Sequence, residues 1–220
     1  TAPSSSQVRN IIWRSIQEMH ALSKKRHKEY ERLLEAGKST RGYPDHRLPG
    51  YVLSDATWKT DEGIPIGFGR TPPRGREGDT FQGIHGNVFA IADEAVGCSE
   101  EMIQTLANNT SNRNDRRLLI ANPTNPTSAM GIIWMDPVKS KAWNRIKISV
   151  FDSPMFTDEK DTLPAETLAD MVDQSYVDDK LIEYGEDSAN YKSRVLGLWA
   201  VDSGMLLFHE EVLAVGFETT

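Results

Sequence analysis

Apolar residues recur along this chain with helical spacing in some stretches and as short unbroken runs in others. Val8, Ile11, Ile12, Ile16, Met19 and Leu22 fall three or four apart and predict a long amphipathic helix reaching about Glu35. Ser4 and Gln7 stand at capping-box spacing ahead of it, and Thr1-Ala2-Pro3 reads as the end of a strand feeding that helix. Two short strands are predicted around Val52–Trp58 and Ile64–Phe68, with Asp61-Glu62-Gly63 as the turn and Pro65 favouring a sheet edge. The run from Val88 to Ala92 is continuously apolar, the signature of a strand buried on both faces of a parallel sheet. Leu118-Leu119-Ile120-Ala121 repeats that signature, and Ile146, Ile148 and Val150 alternate with polar residues as a third strand. Between the first two, Met102, Ile103 and Leu106 mark one side of a helix capped by Ser99. After Asp152 the texture becomes helical and acidic. Helices are predicted from Pro164 through Val172, from Val177 to Tyr184 before Gly185, and from Ser188 to Gly197.

This order of elements predicts an α/β fold, a mostly parallel sheet flanked by helices with a small helical subdomain behind it. The chemistry is expected where strands end. Ligands of open α/β sheets sit outside the carboxyl ends of the strands. Asp93 and Glu94 stand directly after one apolar run, and Asn122-Pro123-Thr124 directly after the other. An Asp-Glu pair in that place has the form of a Walker B strand, one carboxylate for Mg²⁺ and one to polarise water. It has equally the form of a buried strand followed by an acidic helix start. Gly37-Lys38-Ser39-Thr40 resembles the tail of a phosphate-binding loop, but Arg32 stands where the leading glycine is required and the preceding residues are helical. Gly37 is better read as a helix terminator.

Charge sharpens the division. Residues 1–50 carry 10 Lys and Arg against 5 Asp and Glu, net +5; residues 51–150 carry 11 of each; residues 151–220 carry 4 against 16, net −12. A basic face for phosphates is therefore expected near the amino end, centred on Lys24-Lys25-Arg26-His27-Lys28, unless that run is only a solvated helix face. Three arginines, Arg70, Arg74 and Arg76, occupy an aperiodic Gly/Pro-rich loop and are candidates for contacting a nucleotide or DNA. A single cysteine, Cys98, rules out an internal disulfide and suggests a reducing, intracellular setting. No apolar stretch approaches the length of a membrane span. The first residues read as the middle of a structured segment, so a fragment of a larger polypeptide is expected.

Five pieces in sequence order resemble the ATPase half of the large terminase subunit of tailed bacteriophages. They are Thr1-Ala2-Pro3-Ser4 with Gln7-Val8; Phe81-Gln82-Gly83-Ile84-His85-Gly86; Ala90-Ile91-Ala92-Asp93-Glu94-Ala95; Ile120-Ala121-Asn122-Pro123-Thr124; and Tyr191 with Arg194-Val195-Leu196-Gly197. The resemblance implies a P-loop NTPase sheet of the ASCE type, with residues 1–151 as the ATPase core, 152–204 as a lid subdomain and 205–220 as a linker toward a nuclease domain. It implies ATP and Mg²⁺ as cofactors, Asp93 as the Mg²⁺ carboxylate and Glu94 as the residue that activates the attacking water. Asn122 and Thr124 would lie in the motif coupling hydrolysis to DNA movement. Family members often carry an arginine finger where this sequence has Gln82, which leaves Arg74 or Arg76 for that role. The implied partners are double-stranded DNA, a portal protein, a small terminase subunit and further copies in a ring, in the cytoplasm of a host cell. The family's phosphate-binding loop does not occur in these residues. Two other readings stand beside this one: a helicase-like translocase, and a catalytically silent remnant that binds DNA or a motor partner.

Overall fold

The computed structural model describes residues 1–73, 81, 84 and 86–200. It is mixed α/β, with helices and two small sheets, one of them a parallel pair of strands. The chain divides into two compact units, Thr1–Asp93 with Glu101–Leu118, and Glu94–Glu100 with Leu119–Thr220. No helix among the described residues is long and apolar enough to cross a membrane.

In the first unit, the Ser4 amide donates to Gln7 Oε1 and the Gln7 amide donates back to Ser4 Oγ, each at 3.2 Å. This reciprocal cap satisfies two amides that a helix start leaves without partners. The first turns are wide and π-helical over Gln7–Trp13, and α1 follows over Arg14–Glu35. The buried stripe keeps only part of what the spacing predicts, Val8 being buried and Ile12 and Ile16 half-buried. Ile11, Met19 and Leu22 are exposed, whereas Val8, Trp13 and His20 are buried. Polar tips explain the rotation. Trp13 Nε1 donates to the Leu53 carbonyl at 2.7 Å, and His20 Nε2 lies 3.1 Å from the Pro49 carbonyl. Amphipathic rings can thus face loop backbone that an isoleucine would leave without hydrogen bonds. Gly37 (φ +62°) ends α1: its amide reaches Leu34 O at 3.1 Å and the Lys38 amide reaches Leu33 O at 2.9 Å. Those are the two bonds of a Schellman motif, so Gly37-Lys38 closes a helix and forms no phosphate loop.

Strands β1 (Tyr51–Val52), β2 (Thr57–Lys59) and β3 (Pro65–Phe68) form an antiparallel sheet in that order. The single strand expected over Val52–Trp58 is two, because Asp55 accepts the Thr57 amide at 3.0 Å and turns the chain. Pro65 lies on the edge strand, where its missing N–H costs no ladder bond, opposite an irregularity at Trp58/Lys59. The parallel sheet pairs β4 (Phe89–Ala92) with β5 (Arg116–Leu119). Neither is buried on both faces as the apolar runs suggest: Phe89 is 61% exposed and Ile120, just past β5, is 47% exposed. Two strands cannot enclose a parallel sheet, which needs cover on both faces to shed its apolar surface. Helix α2 (Glu100–Asn108) buries Met102, Ile103 and Leu106, as its spacing predicts.

In the second unit, α3 (Ala129–Met135) starts at Ser128, whose hydroxyl accepts the Gly131 amide at 3.1 Å. Short 3₁₀ turns lead to α4 (Ala165–Ala169), α5 (Gln174–Tyr184) and α6 (Ala189–Arg194). Asp173 and Ser188 cap α5 and α6 through their side chains. The core is Val177, Tyr191 and Val195, with Val150, Phe156, Tyr184 and Leu196 packed against it. The third strand expected at Ile146–Val150 does not form. Instead the Val150 amide donates to Val195 O at 2.8 Å, and the Ile148 carbonyl lies against Gly197. The segment spends its backbone on the end of α6 rather than on a sheet.

Gly197 has φ +63°, and a Cβ built there would stand 2.2 Å from the Ile148 carbonyl oxygen. Gly37 has φ +62° with nothing near its would-be Cβ. Gly197→Ala is therefore expected to cost about 2–3 kcal/mol, strain plus a steric clash, while Gly37→Ala costs about 1 kcal/mol of strain alone. Urea denaturation of the two variants checks the difference, and equal losses would contradict it.

Candidate functional site

Position begins with the edges of the parallel pair. The Thr1 amino group donates to Ile91 O at 2.7 Å and the Asp93 amide donates to Thr1 O at 2.9 Å. One residue bonded to both neighbours of Ala92 is the pattern of a parallel bridge, so Thr1 extends the sheet on the side of β4 away from β5. Thr1 Oγ1 also donates to the Arg70 carbonyl. At the other end of β4, the Val88 amide donates to Asp115 Oδ1 and the Asn112 amide to Asp115 Oδ2, both at 2.8 Å. Next in the chain, the Arg116 amide donates to Val88 O at 2.9 Å, beginning the ladder. Backbone amide donors from Val88 and then Asn112 hold the buried Asp115 carboxyl below the usual carboxylate range. Sequence reasoning passed over Asp115; its place directly before two arginines and an apolar strand was the signal present.

Asp93 is half-buried and closes the first unit. The next residue, Glu94, opens a segment of the second unit and is exposed. Its backbone is left-handed, φ 50° and ψ 43°. That conformation is uncommon for a residue with a long side chain and marks a position held by its surroundings. The holding contact is adjacent: the Ala95 amide donates to Ile120 O at 2.9 Å, and Ala95 is fully buried. A 3₁₀ turn, Ala95–Gly97, follows and packs against α3.

From Ile120 the chain runs two residues to Asn122. The Thr124 amide donates to Asn122 O at 2.8 Å, and Pro123 O accepts the Ala200 amide at 2.9 Å. Asn122 and Thr124 are both exposed, leaving an amide and a hydroxyl at the surface. Asn125 then accepts the Thr127 amide and hydroxyl, and Ser128 Oγ donates to Asn125 O before capping α3. These local bonds, together with the long-range bond from the Ala200 amide to Pro123 O, fix the bend. Within the second unit the Ala95–Ile120 bond therefore brings the Glu94 turn and the Asn122–Thr124 bend to neighbouring backbone. Gln82, Arg74 and Arg76, the other residues expected to meet a nucleotide, lie outside the described residues.

The donor chemistry at the end of β4 is carboxylate oxygen, which suits a hard cation that keeps most of its water and rests on one or two carboxylates. Among the described residues no three His, Cys, Asp or Glu side chains group to hold a metal by themselves. Asp93 would hold Mg²⁺ only together with water and the phosphates of a ligand.

Two outcomes test this geometry. Glu94→Gly is expected to stabilise by up to about 1 kcal/mol, because relief of strain outweighs the added entropy of an unfolded glycine. Glu18→Gly, on an exposed face of α1, should instead cost about 1 kcal/mol; paired denaturation curves give both signs. Asp115, whose folded pKa is depressed, adds stability that is present above the ordinary carboxylate range near about pH 4 and lost as pH falls through its lower folded value. Asp115→Asn should lower the thermal midpoint at neutral pH and flatten the acid limb of the wild-type profile; parallel profiles would contradict this. No family model, curated protein or solved structure matches this chain.

Proposed function

We propose that this chain is the core of an ATP-driven DNA motor of the terminase type, built on a P-loop NTPase sheet, lacking in these residues a phosphate-binding loop. The observation that supports the reading most is the turn after β4. Two consecutive carboxylates leave the carboxyl end of a parallel strand, and the second is held left-handed by the bond from its neighbour Ala95 to Ile120, two residues before Asn122.

In this reading each residue has a separate task. Asp93, half-buried at the strand end, binds the hydrated Mg²⁺ that accompanies ATP. The cation, when bound, neutralises charge on the phosphate oxygens. Glu94 projects from a fixed turn into solvent, accepts a hydrogen bond from a water and takes its proton as that water becomes a nucleophile. Asn122 and Thr124 supply an amide and a hydroxyl able to donate to an anionic oxygen. Double-stranded DNA is the polymer moved, with a portal protein, a small terminase subunit and a ring of copies as the assembly. A phosphate cradle supplies much of the positioning in phosphoryl transfer, so turnover by these 220 residues is expected to be negligible.

Weak nucleotide binding is the measurable consequence. With Mn²⁺ in place of Mg²⁺ and millimolar ATP, paramagnetic broadening is expected on the amide signals of residues 93–95 and 122–124. Asp93→Asn should abolish it, and Glu94→Gln should leave it in place. Broadening confined to other residues, or none at millimolar nucleotide, would overturn the reading in favour of a silent remnant. ATP turnover above background that vanishes in Glu94→Gln would overturn the expectation of negligible hydrolysis.

A further inference from the structure

We infer that the carboxyl-terminal half of α1 and the loop folded back on it form a binding groove for the phosphodiester backbone of duplex DNA, read without regard to sequence. The groove lies within the first unit as a shallow hollow of about 1120 Å³, open to solvent and lined also by Glu29. Lys24, Lys25, Arg26, Lys28 and Arg32 line it from the helix, and Tyr43 from the loop.

The five cations are not equivalent. Arg26 is spent on structure, its Nη2 donating to Gly42 O at 2.7 Å and pinning the loop against the helix. His27, 3.4 Å from the Pro44 carbonyl and stacked on Tyr30, ties the loop down two residues further on. Arg32 is held by Glu29 through two bonds at 2.8 and 2.5 Å, and Arg32 in turn keeps the Glu29 carboxyl below its usual range. Lys24, Lys25 and Lys28 remain, and among the described residues none has a carboxylate within ion-pair distance. Three uncompensated ammonium groups on one rigid wall raise the local potential and favour a polyanion over a small neutral ligand.

Spacing selects the kind of polyanion. Lys24 and Lys28 stand four residues apart on one helix face, about 6 Å along the axis, the axial length of about two phosphates on one strand of B-form DNA, with Lys25 beside them. Arg26 and Arg32 are already bonded within the protein, so the lysines are left to meet phosphates, and lysine acts there as a point charge without the fork that reads guanine. The groove therefore positions a duplex and specifies no base. This inference rests on the reading of the protein as a DNA motor and assigns where the DNA lies.

The test is fluorescence anisotropy of a labelled random-sequence duplex with the whole chain, without nucleotide, over a range of salt. Wild type should bind with a steep salt dependence. Lys24→Gln, Lys25→Gln and Lys28→Gln combined should weaken binding equally on unrelated sequences and lower the slope of log K against log salt by about 2–3, roughly 0.9 for each phosphate that the variant no longer neutralises. The triple Lys→Arg variant should retain binding. The double variant Lys139→Gln, Lys141→Gln, cations of a separate turn in the second unit, should bind as wild type. Circular dichroism confirms that α1 is kept in each. Unchanged affinity and slope in the triple Gln variant overturn the inference, as does binding to anionic phospholipid vesicles with none to duplex. Because nucleotide is absent, failure here leaves the ATP experiment standing, and failure there leaves this one.

Discussion

The bond from the Ala95 amide to the Ile120 carbonyl is the constraint on which the candidate chemistry depends. Ala95 is fully buried, so its N–H must find a partner inside the protein. Taking Ile120 as that partner obliges Glu94 to turn through a left-handed conformation that most side chains resist. The strain is local and the compensation is local: one backbone bond, one buried methyl group and a 3₁₀ turn seated on α3. The same bond fixes where the chain emerging from β5 can bend, and hence where Asn122 and Thr124 reach the surface. A carboxylate carried on an unconstrained loop would sample many positions; this one is aimed by the backbone beneath it.

What the sequence made legible, and what it hid, follows from the range of the interactions involved. Caps and terminators are local, so Ser4 with Gln7, Gly37, Ser188 and Gly185 were readable from their neighbours alone, although the Asp173 cap, four residues ahead of the expected helix start at Val177, was not. The buried side of α2 was readable because Met102, Ile103 and Leu106 are apolar, and Thr105, buried among them, satisfies its hydroxyl within the helix by donating to Glu101 O. The side of α1 was readable only in part, through Val8, Ile12 and Ile16, because Trp13 and His20 take the rest of the buried stripe through hydrogen bonds to Leu53 and Pro49, residues far along the chain. An apolar count ranks Ile11 and Met19 above His20 and cannot know of those carbonyls. Asp115 was hidden for the same reason. Its value lies in the Val88 amide, 27 residues away in sequence. The candidate site divides likewise. Asp93 and Glu94 are visible as a pair at a strand end, but the left-handed turn that aims the second is set by Ile120 and leaves no mark in its own residue type.

Exposure of the two central strands is the largest difference between expectation and structure. Runs such as Val88–Ala92 are apolar because a sheet of that kind is covered on both faces, and the composition records that requirement whether or not the cover is present. Phe89 and Ile91 alternate along β4 and are exposed, while Ala92 between Ile91 and Asp93 is fully buried. Among the described residues only one face of the strand is covered, with Phe89 and Ile91 on the exposed side and Ala92 on the buried one. Thr1, bonded to Ile91 and Asp93, sets one residue in strand register beside β4.

Charge and architecture converge in the first unit. The excess of basic residues between positions 1 and 50 could have been spread around α1, where it would only solubilise a helix. It is instead sorted by hydrogen bonding. Arg26 and His27 hold the loop, Glu29 satisfies Arg32, and the lysines left over fall on the wall that the loop encloses. Sorting of this kind has an energetic reason. Guanidinium groups bind carbonyl and carboxylate oxygen with directional forks, so they settle into fixed internal contacts, while ammonium groups, more strongly hydrated and less directional, stay at the solvent boundary. A helix that uses arginine for architecture and keeps lysine for solvent presents mobile positive charge on a rigid frame. Such a surface is suited to a partner whose own charge is regular and continuous, because each ammonium can shift to meet the nearest phosphate without a change in the backbone that carries it.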